Sequence, residues 1–450
     1  MKRKIYDKIM NWKEKSNGKT ALLIDGARRV GKSYIAEEFA KNNYESYILV
    51  DFNKVPDDIK NLFDNYLDNL DDLFLYLSNY YGVKLIERKS VIIFDEVQLY
   101  PKARSAIKYL VADGRYDYIE TGSLVSIKEN VRDILIPSEE QHIELYPLDF
   151  EEFLWALGNE TLMEFIKKCF KEKNPMGDSM HRKAMDYFRK YMIIGGMPQA
   201  VLEYINTNDF SKVDQVKRNI LELYRADIKR HAGRYSLKVE SIFDSIPSQL
   251  QRHEKKFKIS SLYKDAKNRD LDDAFLWLDD AMIVNRCFNT KSPNVGLSLN
   301  QDNSCMKCYM ADTGLLISHS FDEKGLVDEE IYKKILFNKL EYNGGMIMEN
   351  IVSQMLVASN HKLFFYSNSS RDNVQDRMEI DFLIAKKSIT NRHNISPIEV
   401  KSGKNYTFNS LNKFITKYKN QLDTPYIIHT SDLKIENDIV YLPIYMLILL

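Results

Sequence analysis

Cysteine is nearly absent from this chain: Cys169, Cys287, Cys305 and Cys308 are the four in 450 residues. So few thiols build no disulfide framework, which excludes a small stapled scaffold and fits a reducing compartment. Cys305 and Cys308 form a CxxC. A four-thiolate zinc site would need a second pair and a redox motif should open a helix, whereas CMKCYMADTG reads as a strand. Glycine (17) and proline (11) are scarce too, and 44% hydrophobic with 28% charged residues describes a folded chain rather than a disordered one. An excess of either charge is missing, since Lys plus Arg and Asp plus Glu are 64 each. No global field draws the molecule to nucleic acid or an anionic membrane, so any such binding must be local. Long apolar runs are missing as well. IVYLPIYMLILL at the C-terminus is interrupted by Pro443 and falls short of the ~20 residues that span a bilayer; it reads as a buried last strand and helix. The opening MKRKIYDKIMNW is basic and amphipathic without the apolar core of a secretory signal. The expected location is cytoplasmic, with no membrane partner.

What is present is enough chain for several domains. Residues 20–40, TALLIDGARRVGKSYIAEEFA, run from an apolar strand through a glycine-bounded loop into an amphipathic helix, the setting a phosphate-binding loop requires. Gly26 and Gly31 let the backbone curl so that its N–H groups face phosphate, and the helix presents its positive end to the same anion. The candidate ATP-binding residues are Gly26, Ala27, Arg28, Arg29, Val30, Gly31, Lys32, Ser33 and Tyr34. Lys32 reaches the β- and γ-phosphates and Ser33 ligates Mg²⁺ in this pattern.

Further on, SVIIFDEVQLYP ends a continuous apolar strand in Asp95 and Glu96. Ligands of open α/β sheets bind at such carboxyl ends. Asp95 suits the Mg²⁺ site and Glu96 the base that orients the attacking water. A third strand, YDYIETGSL, ends in Thr121, Gly122 and Ser123. The two hydroxyls, Thr121 and Ser123, are candidates to sense the γ-phosphate, or a simple cap or turn. Arg104, Arg115 and Arg132 are arginines that could complete a neighbour's site.

GARRVGKS, FDEVQ, TGS, ELYPLDFEEFLWALG and GGMPQAV, in that order, resemble the prokaryotic AAA-type ATPases that carry a C-terminal domain of unknown function, a group similar to signal-transducing and archaeal ATPases. YMADTGLL, ENIVSQML, EIDFLI and PIEVKSG extend the resemblance over nearly the whole chain. Many members have a Leu-x-Gly-Arg segment before the YPL block; the corresponding stretch here, DILIPSEEQHIELYPL, has no such arginine. The resemblance implies an α/β multidomain protein: a P-loop NTPase parallel sheet (1–150), a helical lid (151–230), a winged-helix middle domain (231–325), and a C-terminal α/β nuclease-like domain (326–450). Helical spacing through about residue 230 fits the lid, in which Gly195, Gly196 and Pro198 read as helix termination. In the middle segment the third helix carries Asp272, Asp273, Asp279 and Asp280, which would repel phosphate, so domain packing is expected there rather than groove reading.

The last segment places Glu349 on a helix, Asp381 on a strand, then Glu399 and Lys401 in SPIEVKSGKN, two apart and therefore on one face. This order is similar to the PD-(D/E)XK nuclease-like fold. Carboxylates that converge repel one another unless a cation sits between them, so Glu349, Asp381 and Glu399 are candidate ligands of Mg²⁺ or Mn²⁺. Lys401 would help ionise the attacking water, with Glu399 and Lys401 as the catalytic pair. Glu-x-Lys is also common as a solvated strand pair, and a nuclease fold can act only by binding. Fifteen Lys and Arg against twelve Asp and Glu in 330–450 is a small positive excess; Arg371, Arg377, Lys386, Lys387, Arg392 and Lys404 could contact a backbone or form a solvated face. The expectation is an Mg²⁺-dependent ATPase whose ATP cycle controls a nuclease-like domain acting on DNA. An ATP-driven switch or binding scaffold with an inactive nuclease-like domain is the alternative. Partners are ATP and DNA, with a homo-oligomer or protein partner compatible.

Overall fold

The computed structural model describes residues 1–123, 138–252, 254–263, 270–294, 296–321, 332–333, 344–368, 376–385, 394–403 and 407–450. They divide into two compact units: Lys2–Tyr146 with Asp280–Met282, and Met1 with Pro147–Asp279 and Ile283–Leu450.

The first unit is a five-stranded parallel sheet between two helical layers. Its strands are β1 (Ala21–Gly26), β2 (Ser46–Asp51), β3 (Ser90–Asp95), β4 (Asp117–Gly122) and β5 (Glu140–Leu145), in the spatial order β2-β3-β4-β1-β5. Every residue of β1, β3 and β4 is buried, as continuous apolar runs in a sheet covered on both faces demand. One face packs on α1 (Ile5–Ser16) and α2 (Lys32–Asn43) through Trp12, Ile35 and Phe39. The other packs on α3 (Asp57–Asn65), α4 (Leu70–Tyr81) and α5 (Pro101–Asp113) through Phe63, Leu77 and Ile107. Because β4 lies between β3 and β1, the carboxyl ends of three strands that are distant in sequence open at one place.

The second unit begins with the expected helices: α6 (Phe150–Ala156), α7 (Glu160–Glu172), α8 (Asp178–Ile194), α9 (Pro198–Thr207) and α10 (Phe210–His231). Asp149 caps α6 in a full capping box with Glu152, satisfying two of the orphan donors at the helix start. Then come α11 (Ser236–Gln251) and α12 (Asp272–Asp280), the hairpin β6 (Val284–Thr290) and β7 (Gln301–Met310), and α13 (Thr313–Ser320). The stretch KISSLYKDA between α11 and α12 is, where described, a single 3-10 turn at Ile259–Ser261; residues 264–269 lie outside the described residues.

The carboxyl-terminal part contains α14 (Gly344–Ala358), β8 (Phe364–Asn368), β9 (Met378–Ala385), β10 (Ile395–Val400), α15 (Asn409–Tyr418), β11 (Tyr426–His429), β12 (Lys434–Glu436) and β13 (Ile439–Pro443). A buried 3-10 helix, Ile444–Leu449, ends the chain, so the apolar tail forms the expected last strand and helix. The mixed sheet has the order β12-β13-β11-β10-β9-β8-β6-β7. The β6–β7 hairpin is thus not a free-standing wing: β6 runs parallel to β8, with Phe288 opposite Phe364. Strands on both sides of residue 325 share one sheet, because pairing β6 with β8 satisfies two edges that would otherwise be exposed.

The GGMP turn is explained by close approach within this unit. A Cβ on Gly195 would lie 2.2 Å from Asp312 Oδ1, and one on Gly196 would lie 2.2 Å from the Leu148 carbonyl oxygen. Asp312 instead accepts hydrogen bonds from Gly196 N (2.6 Å) and Leu315 N (2.9 Å), and Leu148 N donates to the Gly196 carbonyl at 2.7 Å. Glycine is required there because backbone and a buried carboxylate occupy the space of a side chain.

Candidate functional site

The phosphate-loop residues stand at the end of β1. A Cβ on Gly26 would sit 2.4 Å from the Leu145 carbonyl oxygen, and Gly31 has φ +101° as it caps α2. These two positions need glycine, the first for space and the second for backbone conformation. Ala27 and Val30 are buried anchors, while Arg28, Arg29 and Tyr34 are exposed. Lys32 is buried and its Nζ donates to the carbonyls of Gly26 (2.9 Å) and Ala27 (3.0 Å). Burial lowers its pKa, opposed by Glu96, Asp25 and Asp95. Burial also pushes Asp25 up to about 6, against the pull of Lys32.

The second half of the site comes from β3 and β4. Asp95 accepts from Ser33 Oγ at 2.6 Å and from Thr121 Oγ1, and burial raises its pKa in spite of both bonds. Glu96 follows with φ +55°, an uncommon left-handed conformation that reorients the chain where the strand ends. Its N–H donates to Thr121 Oγ1 at 3.3 Å, and its carboxylate accepts from Gln98 Nε2. One threonine therefore touches both acids. Ser123 stands half-buried just beyond β4.

Ser33, Asp95, Glu96 and Thr121 are thus brought together with Lys32. The hydroxyl of Ser33 and the carboxylate of Asp95 are hard oxygen donors at one point, the sparse set Mg²⁺ accepts while keeping most of its water. The residues fit Mg²⁺-ATP. Sequence reasoning missed Gln98, whose one signal is an amide two residues past Glu96 in DEVQ.

Among the arginines considered for a neighbour's site, Arg104 is buried and paired with Glu140 at 2.8 and 3.1 Å. Arg115 is held by Asp113 at 2.8 Å and Asp71 at 2.6 Å. Arg132 lies outside the described residues.

A second constellation lines a cleft of about 550 Å³ in the other unit, which holds Glu349, Asp381, Glu399 and Lys401. Glu349 comes from α14, Asp381 from β9 and Glu399 from β10, so the four residues expected from the sequence do converge. Lys401 Nζ donates to Glu399 Oε2 at 2.9 Å, and Val400 N donates to Asp381 Oδ2 at 2.8 Å. Lys255, Lys307, Tyr309 and Glu379 also belong to the cluster; Tyr309 opens YMADTGLL and Glu379 opens EIDFLI, but sequence reasoning assigned a role to none of the four. Lys307, on β7, is 1% exposed. Its Nζ stands 3.0 Å from Glu379, 3.6 Å from Glu349 and 3.8 Å from Asp381. Lys255 pairs with the other oxygen of Glu349, while Tyr309 OH donates to Glu349 Oε2 at 2.9 Å.

Burial would lower the Lys307 pKa, but Glu349, Glu379 and Asp381 more than reverse that and hold it charged. Glu399 is pushed up to about 8 by burial and by Asp381. Each carboxylate of the set already has an ammonium or a backbone N–H, and no group of three or more potential ligands is open to a metal among the described residues. Glu349, Glu379 and Asp381 as arranged do not fit a divalent cation, because the Lys307 ammonium stands between them, while Glu399 Oε1 is buried without a hydrogen-bond partner. Arg377 lines the same cleft, whereas Arg371, Lys386, Lys387, Arg392 and Lys404 lie outside the described residues.

A parallel sheet with a glycine loop at one carboxyl edge defines the class, a P-loop NTPase fold. Residues 18–154 match the family described as an AAA domain, so the front unit is an AAA-type ATPase domain. Residues 185–324 and 344–447 match two families described as domains of unknown function, DUF8612 and DUF4143. No curated protein matches the chain. Among solved structures, the Walker-type ATPase of Pyrococcus abyssi is 16% identical over 71% of this chain and 95% of that one, with TM-score 0.41. The Aeropyrum pernix ORC1 protein in complex with DNA is 10% identical over 72% and 93%, TM-score 0.29. AMPPCP-bound DnaA from Aquifex aeolicus is 12% identical over 62% and 86%, TM-score 0.28. All three scores fall below the level at which whole folds coincide, so the assignment rests on the matched domain and the loop geometry. No described helix is long and apolar enough to cross a membrane.

Proposed function

We propose that this protein is an ATP-driven switch that binds and hydrolyses Mg²⁺-ATP and thereby sets the state of a nuclease-like carboxyl-terminal domain that binds its target without cutting it. The observation that carries the ATPase reading is the meeting of Ser33, Asp95, Thr121 and Glu96 beside Lys32. Lys32 leaves the carbonyls of Gly26 and Ala27 to take the β- and γ-phosphates, exchanging two neutral acceptors for anionic ones. Ser33 and Asp95 would hold the metal, which when bound would supply charge withdrawal from the transferring phosphoryl group. Glu96 orients the attacking water, with Gln98 and Thr121 fixing its side chain and backbone. Thr121 reports on both acids at once, which suits it to sense the γ-phosphate.

The binding-only reading of the carboxyl-terminal cleft is supported by the ammonium partners of its carboxylates. The cutting reading is supported by the convergence of Glu349, Asp381, Glu399 and Lys401 on one cleft. Two assays test these readings. ATP turnover in wild type should be abolished in Lys32→Ala and slowed about a hundred-fold to a thousand-fold in Glu96→Gln; turnover unchanged in Glu96→Gln would sink the ATPase mechanism. Supercoiled and single-stranded DNA with Mg²⁺ or Mn²⁺ should remain uncut with and without ATP. Cutting by wild type that is lost in Lys401→Ala would establish the nuclease instead, with DNA as its substrate.

A further inference from the structure

The cation between the carboxylates of the cleft is supplied by the protein itself. Lys307 lies on β7, three strands away from β9 in the order β9-β8-β6-β7. Its side chain crosses the Phe365 ring of β8, with Nζ 5.0 Å from the ring centroid, to reach Glu379 and Asp381 on β9. Those two alternate positions face the same way from one strand, and Glu349 from α14 closes the third side. A lysine so buried is strongly disfavoured unless it is paired. Here it meets three carboxylates within 4 Å. Its head lies over an aromatic face and among three carboxylates, so it is not a surface lysine that has folded inward.

Lys307 and Lys255 both lie between residues 185 and 324, and the carboxylates all lie between 344 and 447. These are the stretches matched by separate families. The middle segment, which also carries Lys256 3.9 Å from Glu379, therefore inserts three ammonium groups into a carboxylate set carried by the terminal one. With Lys401, four ammonium groups face Glu349, Glu379, Asp381 and Glu399.

We propose that the Lys307 ammonium permanently takes the place of a divalent cation in this cleft, so that the carboxylate cluster is assembled and held without metal. This deepens the binding-only reading of the cleft and rests on it. A spherical divalent ion and an ammonium compete for the same space, and the covalently tethered one carries no association cost. Removing it should leave Glu349, Glu379 and Asp381 mutually repelling and open to a hard cation.

The test is Mn²⁺ binding by nucleotide-free full-length protein, read from the loss of the free-ion paramagnetic resonance signal, with melting temperature as a parallel readout. The variants are Lys307→Met alone, Asp381→Asn alone and the two together. Wild type should gain no Mn²⁺ site that depends on Asp381. Lys307→Met should melt lower, bind one additional Mn²⁺ at least about ten-fold more tightly than wild type, recover melting temperature with the ion, and lose all of this when Asp381→Asn is added. Should Lys307→Met not fold, Lys307→Met with Glu349→Gln restores the charge balance and carries the same comparison. If no Lys307 variant gains an Asp381-dependent site, the surrogate role is overturned while the metal-free reading stands. If wild type itself binds Mn²⁺ and Asp381→Asn abolishes it, both fall.

Discussion

Thr121 Oγ1 donates to the carboxylate of Asp95 and accepts from the backbone N–H of Glu96. A single hydroxyl thus links the acid that faces the metal to the acid that faces water. Thr121→Val removes both bonds and keeps the shape. It should lower ATP turnover by about ten-fold to a hundred-fold, the loss of one or two positioning hydrogen bonds. Thr121→Ser should retain most of the rate. Steady-state turnover at saturating ATP checks this, and equal rates for valine and threonine would remove the residue from the mechanism.

Lys32 and Glu96 should separate binding from chemistry. Lys32→Ala should weaken ATP binding, measured by calorimetry, because the buried ammonium at the loop is lost. Glu96→Gln should bind ATP as wild type does and turn it over about a hundred-fold to a thousand-fold more slowly, as expected for removal of a positioned base. Gln98→Ala, which frees the Glu96 carboxylate from its amide partner, should shift turnover by less than Glu96→Gln does.

The two glycines before Pro198 make a stability prediction. Gly195→Ala and Gly196→Ala each place a methyl 2.2 Å from an oxygen, the first on a residue with φ +82°. Each should cost about 1–3 kcal/mol, the range for overpacking, with backbone strain adding to it at Gly195. Chemical denaturation of the full chain reads it. Were these glycines only helix terminators, Gly196→Ala would cost under about 1 kcal/mol.

His429 sets an acid limit on the second unit. It is 3% exposed and burial lowers its pKa to about 4 from 6.5. The neutral ring is favoured in the folded state, so the unfolded chain takes up its proton first. The contribution is complete above about pH 6.5 and is lost as pH falls toward about 4, for a total on the order of 3 kcal/mol. Unfolding midpoints measured across that window should fall for wild type. The part of the slope due to this ring should be missing in His429→Gln, and an unchanged slope would contradict the assignment.

Local chemistry is legible wherever the backbone dictates it. GARRVGKS must curl because of Gly26 and Gly31, SVIIFDE must be a buried strand because it has no polar alternation, and the final IVYLPIYMLILL must bury itself. Those stretches determine the P-loop unit and place Lys32, Ser33, Asp95 and Glu96 from the residues alone. Glu349, Asp381 and Glu399 likewise fall on the expected helix and strands, and Lys401 follows one residue beyond the end of β10. Only the tertiary structure decided what stands between those carboxylates. Lys307 occurs in a strand that gives no sign of chemistry, and its ammonium reaches Glu379 and Asp381 only because β6 pairs with β8 and carries β7 along. In the same way, Thr121 meets Asp95 only because β4 inserts between β1 and β3. Strand pairing across long sequence separations is set by which edges and faces remain to be buried, a property of the whole sheet and not of any one segment.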